Sequence, residues 1–299
     1  MKNVFTFLLL LFSLLCNGQS PKLFTTDKEL SSSLINQIYQ DRNGFIWIAT
    51  EDGLNRYDGA KFTIYKHEPN NEHSLAHNFV RTVFEDSKGH LLIGTYIGIQ
   101  MYDPATDNFT PLAKLEDTGE TLESNINSFI ERKNGEIWVS GNVLCKLDIK
   151  DHLLTVRKVD IAVTSPGSLF EDKKQNVWMA KGEEGVYQLT PDNQLTLHLS
   201  KDNGYVKSIC EDQRGNIYVG SIRKGLFIYD KERKTFVPID LKEKGELPVC
   251  FLYSGIPNEL YIGTDGKGVV IYNIRTHEIS EYKFDNNYFD SGNSKIHSI

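Results

Sequence analysis

Beyond residue 18 the sequence has no apolar run that could span a bilayer, which takes roughly 18 or more residues. Basic residues are in deficit: 33 Lys and Arg stand against 40 Asp and Glu, for a formal net charge of -7. A surface that tracks phosphates needs clustered Lys and Arg. Here cations alternate with acids, as in "KERK" and "KEKGE", so nucleic acid is not expected as a partner. Cysteines are scarce. Of four, three lie beyond residue 18, and Cys145, Cys210 and Cys250 are widely spaced and odd in number, which argues against the disulfide framework of a small secreted domain and suits buried small hydrophobes.

The catalogue of missing chemistry continues. No G-x-S-x-G elbow and no Cys–His pairing occurs. The eight histidines are scattered, and the closest pair, His73 and His77, sits in the polar loop "NNEHSLAHN" rather than on a helix face. That loop reads as solvated, not as a metal site. Catalytic, metal and cofactor residues are therefore expected to be none.

The N-terminus "MKNVFTFLLLLFSLLCNGQS" has the form of an export signal: Lys2, an apolar run from Val4 to Leu15, then small residues before Gln19. Residues 1–18 are expected to be the signal peptide and 19–299 the exported chain. Leu15 before Cys16 argues against a lipidated leader, which wants a small residue there.

What the sequence has in abundance is one pattern, repeated. "DRNGFIWIATEDGLNRYDGAKFTIY" (41–65) returns as "DSKGHLLIGTYIGIQMYDPATDNF" (86–109) and "DQRGNIYVGSIRKGLFIYDKERKTF" (212–236). Looser copies occur at 132–148, 172–189 and 257–279. Trp47, Leu92, Trp138, Trp178, Tyr218 and Tyr261 hold one slot, about 40 to 46 residues apart. Short strands and turns at that period predict the blades of a β-propeller. The expected fold is all-β, with four-stranded blades at about 33–65, 74–110, 124–158, 164–199, 204–238 and 247–285.

Each unit reads as an inner strand A, a D-x-x-G turn, an apolar strand B, a second turn, and strands C and D. Gly44, Gly89, Gly135 and Gly215 fill the first turn, with Gln175 and Asn258 in two copies. Asn tolerates a left-handed φ but Gln does so poorly, so a different turn is expected in the fourth copy. Residues 22–27, "KLFTTD", resemble a strand D, and 294–299, "SKIHSI", resemble the start of a strand A. Together they suggest a seventh blade begun at 294 and closed by 22–27, an incomplete seven-bladed ring in a fragment of a longer protein.

The pattern D-x-x-G, W-I-G/A-T, G-L-x-x-Y/F-D in "DRNGFIWIATEDGLNRYDG" and its copies resembles the two-component regulator propeller repeat. With a leader just before the first blade, the chain resembles the periplasmic sensor propeller of Bacteroidetes-type hybrid two-component histidine kinases. The resemblance implies an oligosaccharide ligand, control of carbohydrate-utilisation genes, further receptor domains as partners and a homodimeric receptor. A phosphoacceptor-histidine segment and a nucleotide-binding glycine motif are missing here, so this chain is not expected to be an enzyme.

Within the repeat, strand direction places the B–C and D–A loops on one face, here called top. The B–C loops vary between copies and are the expected ligand site: Glu51, Asp52, Tyr96, Asn142, Glu183, Arg223, Lys224, Asp265 and Lys267. For any one of them an ordinary solvated turn is the competing reading. The acid pairs Glu85-Asp86, Glu171-Asp172 and Glu211-Asp212 could suggest acid–base chemistry, but their recurrence at one slot points to a structural corner. Two other functions compete with sensing: a lyase-type propeller enzyme, which would need a His/Glu metal constellation, and a propeller that only binds proteins.

Overall fold

A computed structural model describes residues 24–26, 29–199, 204–241 and 247–282. Every regular element in it is a β-strand. Among the described residues the strands form six sheets, antiparallel except for one added edge strand. The first blade is β1 (Ile35–Gln40), β2 (Ile46–Thr50), β3 (Gly53–Tyr57) and β4 (Phe62–Tyr65). The second is β5 (Val80–Glu85), β6 (Leu91–Thr95), β7 (Ile99–Asp103) and β8 (Asn108–Phe109). A short β9 (Lys114–Leu115) precedes the third blade, β10 (Ser128–Glu131), β11 (Ile137–Ser140), β12 (Leu144–Lys150) and β13 (Leu153–Lys158).

The fourth blade is β14 (Leu169–Glu171), β15 (Val177–Lys181), β16 (Gly185–Leu189) and β17 (Leu195–Leu199). The fifth is β18 (Val206–Glu211), β19 (Ile217–Ser221), β20 (Gly225–Asp230) and β21 (Thr235–Pro238). The sixth is β22 (Val249–Tyr253), β23 (Glu259–Thr264), β24 (Val269–Asn273) and β25 (Ile279–Glu281). In every blade the strands pair in sequence order. The third alone gains a strand, because β9 adds in parallel to the outer edge of β13. An outer strand edge invites unwanted pairing, and β9 covers this one.

The blades pack face to face through their inner strands, β1 on β5, β5 on β10, β10 on β14, β14 on β18 and β18 on β22. Among the described residues no comparable packing joins β22 to β1. The aromatic slot of strand B explains the stacking. Trp47 and Trp178 are fully buried, and clusters such as Trp47, Leu54, Val83, Ile93 and Phe109 run from one blade into the next. Small residues beside that slot let the neighbouring blade approach. A Cβ on Gly220 would lie 2.4 Å from Val249 Cγ1, and one on Gly94 would lie 2.7 Å from Ile126 Cγ2. The G/A of the repeat is thus a contact point between blades.

The acid pairs prove to be structural. Asp41, Asp86, Asp172 and Asp212 are buried at the A–B corners. In each corner Oδ1 accepts the backbone N–H groups two and four residues on, as Asp172 does from Lys174 at 2.8 Å and Asn176 at 2.9 Å. Oδ2 takes a side-chain donor from strand B: Trp47 Nε1 at 2.8 Å, Trp178 Nε1 at 2.9 Å, Tyr218 Oη at 3.2 Å. The preceding Glu reaches across to the blade before it. Glu85, Glu131, Glu171 and Glu211 accept the backbone N–H of Arg42, Ser87, Lys133 and Lys173.

One turn differs from expectation. Gln175 adopts φ +67°, and its N–H donates to Asp172 O at 2.9 Å, as Gly44 does to Asp41 at 2.9 Å. The fourth corner therefore keeps the common turn. The Asp172 carboxylate and its four donors fix the loop, and that outweighs a left-handed residue costing about 1–2 kcal/mol. The third corner has no Asp. Arg132 stands in its place, and Glu136 accepts Trp138 Nε1 at 3.0 Å.

Of the segment expected to close a seventh blade, Phe24 to Thr26 are described and lie outside the strands. Phe24 packs on Tyr57 and Phe62, with ring centroids 5.1 and 4.9 Å away. Strand alternation puts both on the face of the first blade that points away from the second. Lys22, Leu23 and Asp27, the strand expected from 294 and the leader at 1–18 lie outside the described residues.

Candidate functional site

Propellers offer two places for a ligand: the loops of one face and the channel walled by the inner strands. The channel here is a cavity of about 910 Å³ opening on the top face. Its wall is shaped by a repeated irregularity. In β1 the pairing steps from Ile35–Thr50 to Gln37–Ala49, so Asn36 is an extra residue opposite strand B. The same step occurs at Arg81, Lys207 and Cys250. A bulge re-aims the side chain it carries, and all four residues line the channel. Asn127 and Gly167, at the same position in the third and fourth blades, line it too.

These residues do different things. Asn36 Nδ2 donates to Val80 O at 2.8 Å, and Asn127 Nδ2 donates to Pro166 O at 3.2 Å, so both tie their blade to the next. Cys250 is buried, as are Cys145 and Cys210. Burial pushes the Cys145 thiol to about 11 and the Cys210 thiol to about 12, which keeps both protonated and inert at neutral pH. Arg81 is set apart. Its guanidinium lies over the Phe79 ring at 5.3 Å, and its Nε is buried without a hydrogen-bond partner.

At the mouth, Lys181 Nζ pairs with Glu184 at 2.8 Å and Arg223 with Glu183 at 3.0 Å. Glu183 and Arg223 are the two expected site residues that line the channel. The others sit farther out, because strand B is the second strand from the axis. Asp52 is held by Lys66 at 2.6 Å and Asn78 Nδ2 at 3.0 Å. Asn142 donates its backbone N–H to Ser124 Oγ, and its carbonyl accepts Ser165 N–H. Glu51, Lys224, Asp265 and Lys267 are exposed on their turns. Tyr96 is 52% exposed and forms a ledge with His77 and Phe79, at 5.5 and 6.1 Å between ring centroids.

The histidines have local duties. His73 Nδ1 lies 3.2 Å from Phe109 O, and His77 Nδ1 accepts Phe79 N–H at 2.9 Å. Among the described residues no group of three or more His, Cys, Asp or Glu could hold a metal ion. Outside the channel a clasp joins the first two blades, where Asp107 Oδ1 accepts Tyr65 and Tyr102 at 2.6 Å and Arg56 at 2.9 Å. Burial works against the Asp107 charge, yet the two hydroxyls and the guanidinium outweigh it and hold the carboxyl below its ordinary range.

Known proteins place these features. Residues 29–52, 74–96 and 200–223 match the family described as two component regulator propeller. Histidine kinase P4 of Formosa agariphila is 37% identical over 83 residues, which are 25% of this chain and 6% of the kinase. The extracellular domain assigned to the hybrid two component system BT3049 of B. thetaiotaomicron has a TM-score of 0.76 at 22% identity. That match covers 92% of this chain and 38% of that one. The fold extends to unrelated chemistry: virginiamycin B lyase from Staphylococcus aureus has a TM-score of 0.66 at 12% identity over 90% of this chain and 89% of its own. The chain spans well under half of the two-component relatives it matches.

Proposed function

We propose that this chain, a propeller of two-component regulator repeats, is the ligand-sensing part of an exported two-component receptor. The observation that carries the reading is the pairing of those repeats with a channel lined by polar bulge residues instead of by a packed core. A hydrogen-bonding channel with an aromatic ledge beside it suits a small polar ligand with apolar ring faces. An oligosaccharide fits that description, and genes for carbohydrate use would be the output.

In this reading the receptor lies in the periplasm, anchored in the inner membrane and active as a homodimer. The kinase and the remaining receptor domains are partners outside this chain. Ligand binding would change how the propeller packs on those domains. The propeller itself performs no chemistry.

The test is a thermal-shift screen of the full chain against neutral and acidic oligosaccharides. A ligand that binds only the folded state raises the melting temperature by mass action, by about 2.7 kcal/mol of stability at a hundred times Kd. At least one saccharide class should give a dose-dependent shift. A flat response across the whole panel, beside a shift with a protein partner, would replace sensing with protein binding.

A further inference from the structure

We infer that the channel contains an anion-recognition site for a carboxylate or sulfate group, with Arg81 as its principal contact, so that the ligand sensed is an acidic saccharide. The inference rests on the sensing reading and makes its ligand class specific.

Arg81 is an unusual feature of a polar channel. A buried guanidinium N–H without an acceptor is costly and calls for an explanation, such as an ion or ligand that completes it. Its Nε has no hydrogen-bond partner, and among the described residues no carboxylate lies within 4 Å of the guanidinium. The neighbouring channel cations contrast with it, since Lys181 and Arg223 each hold a glutamate. Asn36 and Asn127, at the same bulge position, use their amides to bond the next blade. Arg81 makes no such stitch. The bulge therefore aims a cation at the cavity with donors to spare.

The surroundings fit one class of anion. Lys207 lines the same cavity at the equivalent position in the fifth blade, so the same bulge brings a basic residue to the channel wall twice in a chain whose net charge is -7. Arginine's planar fork matches the two oxygens of a carboxylate or sulfate. Phe79 fixes the guanidinium plane from one side. Tyr96 stands beyond Phe79 at 6.1 Å and is half exposed, which gives a saccharide an apolar surface outside the channel once its acidic group is held within.

The experiment is isothermal titration of the full chain with three probes: a uronic-acid oligosaccharide, a sulfated oligosaccharide and a neutral one of equal length, at low and high salt. One or both acidic probes should bind, with an affinity that falls as salt rises, and the neutral one should bind at least about thirtyfold more weakly. Which acidic probe binds decides between carboxylate and sulfate. Arg81→Met should lose binding by about thirtyfold or more, Arg81→Lys should lose less, and Arg81→Met should melt no lower than the native chain, because it removes an uncompensated buried donor. If the neutral probe binds as well as the acidic ones and Arg81→Met leaves affinity unchanged, the inference is overturned while sensing stands. If none of the three binds, both fall.

Discussion

Trp47 Nε1 donates to Asp41 Oδ2 at 2.8 Å across the first A–B corner, and Trp178 repeats the bond to Asp172 at 2.9 Å. One carboxylate thus fixes a turn through its backbone N–H groups and fixes the blade's central aromatic through its other oxygen. That is why D-x-x-G and the aromatic slot recur together at six-residue spacing.

Asp172→Ala should therefore cost about 3 kcal/mol, since it strands four donors that share one charged acceptor in a buried corner. Urea unfolding measures it. A loss below about 1 kcal/mol would mean the corner is held by packing alone.

Gln175 supplies the opposite prediction. Its φ of +67° strains a side chain that does nothing visible to need it. Gln175→Gly relieves about 1–2 kcal/mol of strain against about 0.5–1 kcal/mol of added unfolded-state entropy. The variant should gain about 0.5–1 kcal/mol in the same urea assay, and a loss would show that the glutamine side chain contributes to the corner.

Gly220→Val should destabilise by more than Gly220→Ala, and both should lose stability. The added Cβ meets Val249 Cγ1 at 2.4 Å, and overpacking of a filled core costs about 1–3 kcal/mol. Calorimetric melting of both variants checks the order.

Acid stability should depend on Glu136. Burial opposes its charge, but Lys146, Trp138 and Asn134 outweigh burial and bring the carboxyl down to about 2 from an ordinary 4.5. A folded-state value below the unfolded one means the contribution is complete above about pH 4.5 and disappears as the pH falls through 2. The native chain should exceed Glu136→Gln in stability at neutral pH, and the gap should close between those two limits. A gap that stays constant down to pH 2 would remove Glu136 from the acid response.

The blades and the corners were legible because a repeat shows each position several times. The asparagine-like turn at Gln175 was not, because a carboxylate three residues earlier, rather than the turn residue, decides the conformation. The channel was missed for a geometric reason. A bulge adds one residue and leaves no composition mark, so Asn36, Arg81 and Lys207 looked like ordinary members of strand A. The inner strands carry other polar residues as well, such as Gln37, Thr82 and Ser208, so nothing in the sequence singled these three out. The B–C loops drew attention by varying, but strand B stands one step out from the axis, and of the residues expected there Glu183 and Arg223 reach the channel.

The central claim is that the channel face receives the ligand. Hydrogen–deuterium exchange of the full chain, with and without each of the uronate, sulfated and neutral oligosaccharides, tests it most directly. The account predicts that a binding saccharide slows exchange at the top ends of β1, β5 and β18, around Asn36, Arg81 and Lys207, while the corners at Asp41, Asp172 and Asp212 stay unchanged. Protection confined to the outer strands or the bottom corners, or none with any of the three, would contradict it.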